Sequence, residues 1–387
     1  PSSASSSRSP TAAVAHSHGG MSTLGLALRA LNVPSKQQSR RGGAQCGRVS
    51  PMSAFTVQVL PFTRTMEANP FAKEPSPSRP SEDNILGTDD RGRDLLARLI
   101  YGFRISVVFA LLVAVNALVG GMVGQQQTVL PQLAETEFGL TGYTFIFTYV
   151  TAFGITKATA NYFAGTWSDR YGRKPVLIAG WLFAIPVPLL LIWAPSWGWV
   201  IAANVLLGIN QGLTWSTTVV MKIDLVGPAR RGLAMGLNEA AGYGAVAVTS
   251  LLAGYLAEQY GLRPAPFLLG IAYTALALLL SGVFVKETRG HALLDAGRHT
   301  PRADGMHDHL HAELTDRQIF AQTSLREPAL SSASQAGLVN NLNFGLSWGL
   351  FPLLFATAEL TVSQIGLLFA LYPGVWGVGQ LVTGALS

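Results

Sequence analysis

The chain has 387 residues, 49% of them hydrophobic and only 12% charged, with a formal net charge of +6 and a single cysteine, Cys46. So few charges on so apolar a chain exclude an ordinary soluble enzyme and point to a polytopic membrane protein, while one cysteine excludes an internal disulfide and a cysteine-built metal site. The basic residues lie mainly in the N-terminal region and in alternate loops, so membrane topology accounts for the positive balance and nucleic acid is not an expected partner.

Residues 1–80 are rich in Ser, Pro, Gly and Arg, show no sustained periodicity and contain no acidic residue before Glu67. That composition reads either as an organellar transit peptide or as translated upstream sequence, and the second reading is preferred. In neither case does the segment bury enough apolar surface to fold alone. Residues 81–108 differ. Leu86 to Ser106 reads LGTDDRGRDLLARLIYGFRIS, which resembles the permease subunits of dipeptide and oligopeptide ABC importers. The coupling-loop pattern expected further on in such a permease is missing: Glu239-Ala240-Ala241 is followed by glycines at 242 and 244 and not at 245. A fusion with its junction near 109–115 is therefore expected, with an ABC importer permease as the rival reading of the chain.

Eight apolar segments of membrane length follow, at about 106–130, 142–166, 175–193, 198–221, 232–256, 265–285, 333–357 and 362–385. Between the second and third lies Gly165 to Leu177, GTWSDRYGRKPVL, read as a short charged loop joining antiparallel neighbours. Loops carrying Arg170, Arg173 and Lys174, then Lys222, Arg230 and Arg231, then Lys286 and Arg289, alternate with loops holding only Arg263. By the positive-inside rule the first set and the N-terminus are expected in the cytoplasm, with the protein in the plasma (inner) membrane.

The charged loop resembles the signature of the major facilitator superfamily, G-x-L-A/S-D-R-x-G-R-R/K. Gly165, Ser168, Asp169, Arg170, Gly172, Arg173 and Lys174 match, and Trp167 replaces the preferred leucine. The resemblance implies an all-α membrane protein, a major facilitator-type helix bundle with about eight of twelve transmembrane helices in this sequence. Residues 109–285 would form the first six-helix half, 286–332 the cytoplasmic linker and 333–387 the first two helices of the second half. The end of the second span, YFAGTWS at 162–168, has a counterpart in LVTGALS at 381–387, as expected of two halves related by repetition, with the sequence expected to be a fragment of the whole. Gly165, Asp169, Arg170, Gly172, Arg173 and Lys174 would then form a gating latch. The linker holds His307-Asp308-His309-Leu310-His311, which could bind a metal but reads as incidental histidines in a solvated segment.

Charged and amide side chains within spans mark the candidate substrate or ion path. Lys157 and Glu239 sit at comparable depths on the second and fifth spans, so they could pair or could act separately. Asn204, Gln211 and Trp215 share one face of the fourth span, while Asn116 and Asn340 add neutral polar groups on the first and seventh. Gly208 stands where the family often places an arginine in R-x-x-Q-G, and Gly242-Tyr243-Gly244 lacks the proline of the antiporter motif. The function implied is secondary active transport of a small solute by alternating access, coupled to H+ or Na+. A non-transporting product remains an alternative. No nucleotide-binding motif and no nucleophile–base–acid set occurs in the span region, so no enzyme activity, cofactor or metal is expected.

Overall fold

A computed structural model of the protein describes residues 77–82, 84–140, 143–227, 230–292 and 316–386. The chain divides into two compact units with a boundary between Leu111 and Leu112. Residues 1–76, most of the stretch expected to be transit-like, and the histidine cluster of the linker lie outside the described residues.

In the first unit the segment LGTDDRGRD folds around a carboxylate. Asp89 Oδ1 accepts the backbone N–H groups of Arg93 and Arg91 at 2.9 and 3.0 Å, and Oδ2 accepts Arg93 Nε at 2.8 Å. The Arg93 N–H, with the other donors gathered on it, holds the Asp89 carboxyl well below the usual carboxylate range. Asp94 then caps the helix that follows, accepting from Leu96 N–H at 2.8 Å.

That helix, α1, runs Leu95–Gln127, and a short α2, Leu130–Thr136, extends it. The second unit continues with α3 (Tyr143–Tyr171), α4 (Arg173–Ala184), α5 (Pro186–Ile192), α6 (Trp197–Val226), α7 (Arg231–Tyr260) and α8 (Ala265–Leu279). A π-turn over Leu280–Phe284 finishes α8. After α9 (Asp316–Ala321) come α10 (Pro328–Thr357) and α11 (Val362–Leu386). No β-strand occurs among the described residues, only an isolated bridge between Thr88 and Asp94.

Five stretches are long and apolar enough to cross a membrane by length and composition: Leu95–Thr136, Arg173–Ile192, Arg231–Tyr260, Ala265–Phe284 and Val362–Leu386. Helices α3, α6 and α10, of 29, 30 and 30 residues, are long enough at about 1.5 Å per residue but carry more polar groups. The protein is thus an all-α membrane helix bundle. Several boundaries differ from those expected, two of them for a reason that is local to the sequence. The first helix begins at Leu95, because LLARLIYGFRI contains no residue that stops a helix. The third span is broken at Ile185, ahead of Pro186, whose ring and missing N–H interrupt the ladder.

In lipid, apolar area gives little drive for helix association, so contacts depend on small residues that let backbones approach. On α7 and α11 Gly236 meets Gly384, where a Cβ on Gly384 would lie 2.8 Å from Gly236 Cα, and Gly254 meets Gly366. The α3–α6 contact uses Gly208 and Gly212. A Cβ on Gly208 would fall 2.0 Å from Thr156 Oγ1 and 2.7 Å from the Phe153 carbonyl oxygen. That is the physical reason why no arginine stands at 208. Lys157, one residue beyond Thr156 on the opposing helix, provides a cation in the same neighbourhood.

Candidate substrate site and signature turn

Two clusters emerge from this packing. The first lies within the bundle, where α6 sets Trp215, Thr218 and Lys222 on one face at spacings of three and four residues. Lys222 is 1% exposed, and its ammonium donates to Asn238 Oδ1. Asn238 Nδ2 donates to Glu239 Oε1 at 2.9 Å, and Trp215 Nε1 donates to the same oxygen at 3.1 Å. Over the face of the same indole, Lys157 Nζ lies 5.3 Å from the Trp215 ring centroid and 5.5 Å from that of Phe153. Lys157 and Glu239 therefore belong to one cluster. They are joined through Trp215, and no direct ion pair links them among the described residues. From α1, Asn116 Nδ2 donates to the Asn238 carbonyl at 2.7 Å, and Thr218 Oγ1 donates to Asn116 Oδ1 at 3.0 Å.

Asn204 and Gln211 share a face as expected, but that face meets α1. Gln126 Nε2 donates to Asn204 Oδ1 at 3.1 Å, and Gln211 Nε2 donates to the Val119 carbonyl at 2.8 Å. Asn340 is half-buried on α10 and is not brought into this network. Lys222 is the member that sequence reasoning assigned to a polar loop. Helix α6 continues to Val226 and carries Lys222 inside, and its helical spacing from Trp215 was the available signal.

Aromatic rings complete the cluster. From Trp215 the contacts run to Tyr243 (5.6 Å), to Phe344 (5.9 Å), to Trp348 (6.2 Å) and to Phe153 (5.0 Å) between ring centroids. Lys157 closes the circuit between Phe153 and Trp215. Four helices, α3, α6, α7 and α10, thus contribute to one ring of five aromatic side chains and one ammonium.

The second cluster is the signature turn. The expected loop is a single residue: α3 ends at Tyr171 and α4 begins at Arg173, so Asp169 and Arg170 occupy the last turn of α3. Gly172 makes the reversal with φ 103°, and a Cβ there would also meet a Glu287 carboxylate oxygen at 2.7 Å. Arg173 points inward and is 2% exposed. Its Nε donates to Asp224 Oδ2 at 3.1 Å and its Nη1 donates to the Ser168 carbonyl at 2.7 Å, with Asp169 Oδ1 also 2.7 Å from Nη1. Glu287 caps the start of α4, its two oxygens each accepting a backbone N–H, from Arg173 and from Lys174, at 3.0 Å. Thr288 Oγ1 donates to Asp224 Oδ2 at 3.1 Å, and Lys174 Nζ donates to the Gly282 carbonyl at 2.7 Å. Arg170 lies over the Tyr171 ring at 5.3 Å. The turn is thereby tied to the ends of α6 and α8. Asp224, Glu287 and Thr288 were not among the residues singled out from sequence.

A bundle of apolar helices with charges gathered inside it and a reversal built on Gly172 and Arg173 defines a polytopic membrane protein of the helix-bundle class. The sequence profile of the Major Facilitator Superfamily matches residues 95–387, and the chain belongs to that superfamily. Among curated proteins, it is 32% identical over 206 residues to a multidrug resistance protein, MdtG, of Serratia proteamaculans, covering 52% of this chain and 45% of that protein. It is 27% identical over 139 residues to a multi-drug resistance efflux pump, PmrA, of Streptococcus pneumoniae, covering 35% of this chain and 34% of the pump. A 49-residue stretch, 13% of this chain and 14% of the relative, is 51% identical to the inner membrane ABC transporter permease protein YejE of Escherichia coli. In each case the chain spans less than half the length of the curated relative it matches.

Proposed function

We propose that the protein is a secondary active transporter that moves a small amphipathic solute across the plasma (inner) membrane by alternating access, driven by an H+ or Na+ gradient. The observation that carries this reading is the charged network Lys222–Asn238–Glu239–Trp215–Lys157 inside the bundle. Charges at such depth are costly and persist where they serve a substrate or an ion. The aromatic circuit draws on α10 as well as on α3, α6 and α7, so a solute held there would contact both expected halves of the fold. Rocking the halves about that point would then expose it to each side in turn. The similarity to the efflux pump PmrA favours outward transport. The signature turn with the N-terminus is placed in the cytoplasm, where Arg173, Asp224 and Glu287 hold the ends of α3, α4, α6 and α8 together as the halves move. Residues 81–108 are read as a permease-like lead-in without a transport role of their own. The reading assigns the chain no enzymatic step, cofactor or nucleic-acid partner.

The test is transport by the purified protein in proteoliposomes, using a panel of cationic, neutral and anionic amphipathic aromatic compounds. Imposing a pH or sodium gradient should drive at least one compound against its own gradient, and collapsing the ion gradient with an ionophore should stop it. Movement of the whole panel only down its own gradient, unaffected by either ion, would contradict coupling.

A further inference from the structure

We propose that the aromatic circuit receives the acidic group of an amphipathic aromatic solute, with Lys157 as its counter-ion, so that the site selects anions over cations. The proposal rests on the transporter reading above and adds the charge of the solute.

The first argument is a matching of charges. Arg173 and Asp224 pair with each other at the signature turn. Deeper in the bundle, Glu239 is 3% exposed and one of its oxygens already accepts from both Asn238 and Trp215, with the Lys222 ammonium on the other side of Asn238. That carboxylate is shielded and its charge is balanced across a single amide. Lys157 makes no direct ion pair among the described residues, and with Lys222 it sets two cations against the one carboxylate of Glu239. It is half-buried, so it can be reached, and ring faces flank it where an acceptor would be expected. An ammonium has three donors, and aromatic faces attract its charge without accepting its hydrogens in conventional hydrogen bonds. Among the described residues of α10 and α11 there is no Asp, Glu, Lys or Arg to change this balance.

The second argument concerns the neighbouring donors. The buried Trp348 indole N–H has the Tyr149 hydroxyl as its hydrogen-bonding neighbour, and Trp348 stacks edge-on against both Phe153 and Tyr149. An indole N–H can only donate. Accepting from Trp348, the Tyr149 hydroxyl keeps its own hydrogen to donate, so with Lys157 the region offers donors that a carboxylate or sulfonate would complement, while Tyr243 and Phe344, both half-buried, offer ring faces to an aromatic body.

The experiment is equilibrium dialysis of the full chain in detergent against three radiolabelled compounds that share one ring system: indole-3-acetate, indole-3-acetamide and tryptamine. The acetate should bind tightest, by about tenfold over the amide, the size expected of one hydrogen bond to a charged group, and tryptamine weakest. Lys157→Gln should cost the acetate about tenfold more than it costs the amide, while Lys157→Arg should keep most of the acetate's advantage. Tightest binding of tryptamine, equal affinity for all three, equal losses for acetate and amide in Lys157→Gln, or no binding of any would each overturn the proposal. Gradient-driven transport of the broader panel would still be read independently, so the transporter reading falls only if that assay fails as well.

Discussion

Glu239→Ala is expected to be the most damaging single substitution in the bundle interior. It leaves the buried ammonium of Lys222 and the half-buried one of Lys157 without their shared negative charge, and it strips Trp215 Nε1 and Asn238 Nδ2 of their acceptor. Removing one partner of a buried charge pair costs about 3–5 kcal/mol, a large part of a typical protein's stability. The folded fraction recovered from membranes, and its melting temperature in detergent, should both fall sharply. Glu239→Gln separates folding from function. The amide oxygen can still accept from Trp215 and Asn238, so only the charge-dependent part of the stability should be lost and more protein should fold than with Glu239→Ala, while transport should be lost with the charge. Adding Lys222→Met to Glu239→Ala should recover much of the stability and none of the transport. Additive losses in that double variant would mean that Lys222 and Glu239 are energetically independent, despite the Asn238 bridge.

The second large effect is expected at the signature turn. Arg173→Ala leaves the Asp224 side chain, 1% exposed, without its cation, again about 3–5 kcal/mol by the same reasoning. Arg173→Lys keeps the charge, but one ammonium cannot reproduce the separate reach of Nε to Asp224 and Nη1 to Ser168 and Asp169, so only part of the loss should return. Lys174→Ala is the control. Its ammonium meets the Gly282 carbonyl at an exposed position, and an exposed contact of this kind is worth about 1 kcal/mol or less. Thermal melting of the three variants should therefore rank Arg173→Ala far below Arg173→Lys, with Lys174→Ala close to the unaltered protein. Equal melting of Arg173→Ala and Lys174→Ala would show that the buried pair with Asp224 contributes nothing.

Those two residues also show what the sequence could and could not reveal. Both read as basic anchors of one loop, and nothing local separates them. The separation comes from Asp224 and Glu287, 51 and 114 residues further along, which the fold brings to the turn. The apolar segments, a short turn within Gly165–Leu177 and the shared face of Asn204 and Gln211 were legible, because hydropathy, a matched signature and helical period are local signals. Lys222 was not, since a lysine near a helix end reads as topology until the helix proves longer than its apolar stretch. The aromatic circuit was equally hidden. Trp215 could be placed on a polar face, but its contact with Tyr243, and through Phe344 with Trp348, depends on how three helices cross. Glu239 and Lys157 were picked out by their cost in a membrane, and only the structure shows the indole between them.

Access to the aromatic circuit from both sides of the membrane is the central claim, and it can be measured without knowing the solute. Cys46 is the sole cysteine, so Cys46→Ser gives a background free of thiols. In that background Tyr243→Cys places one thiol at a half-buried position of the circuit. A membrane-impermeant maleimide applied to right-side-out and to inverted vesicles should label it from both faces. An imposed ion gradient should speed one rate and slow the other. Labelling from one face alone under every gradient, or from neither, would contradict alternating access at this site.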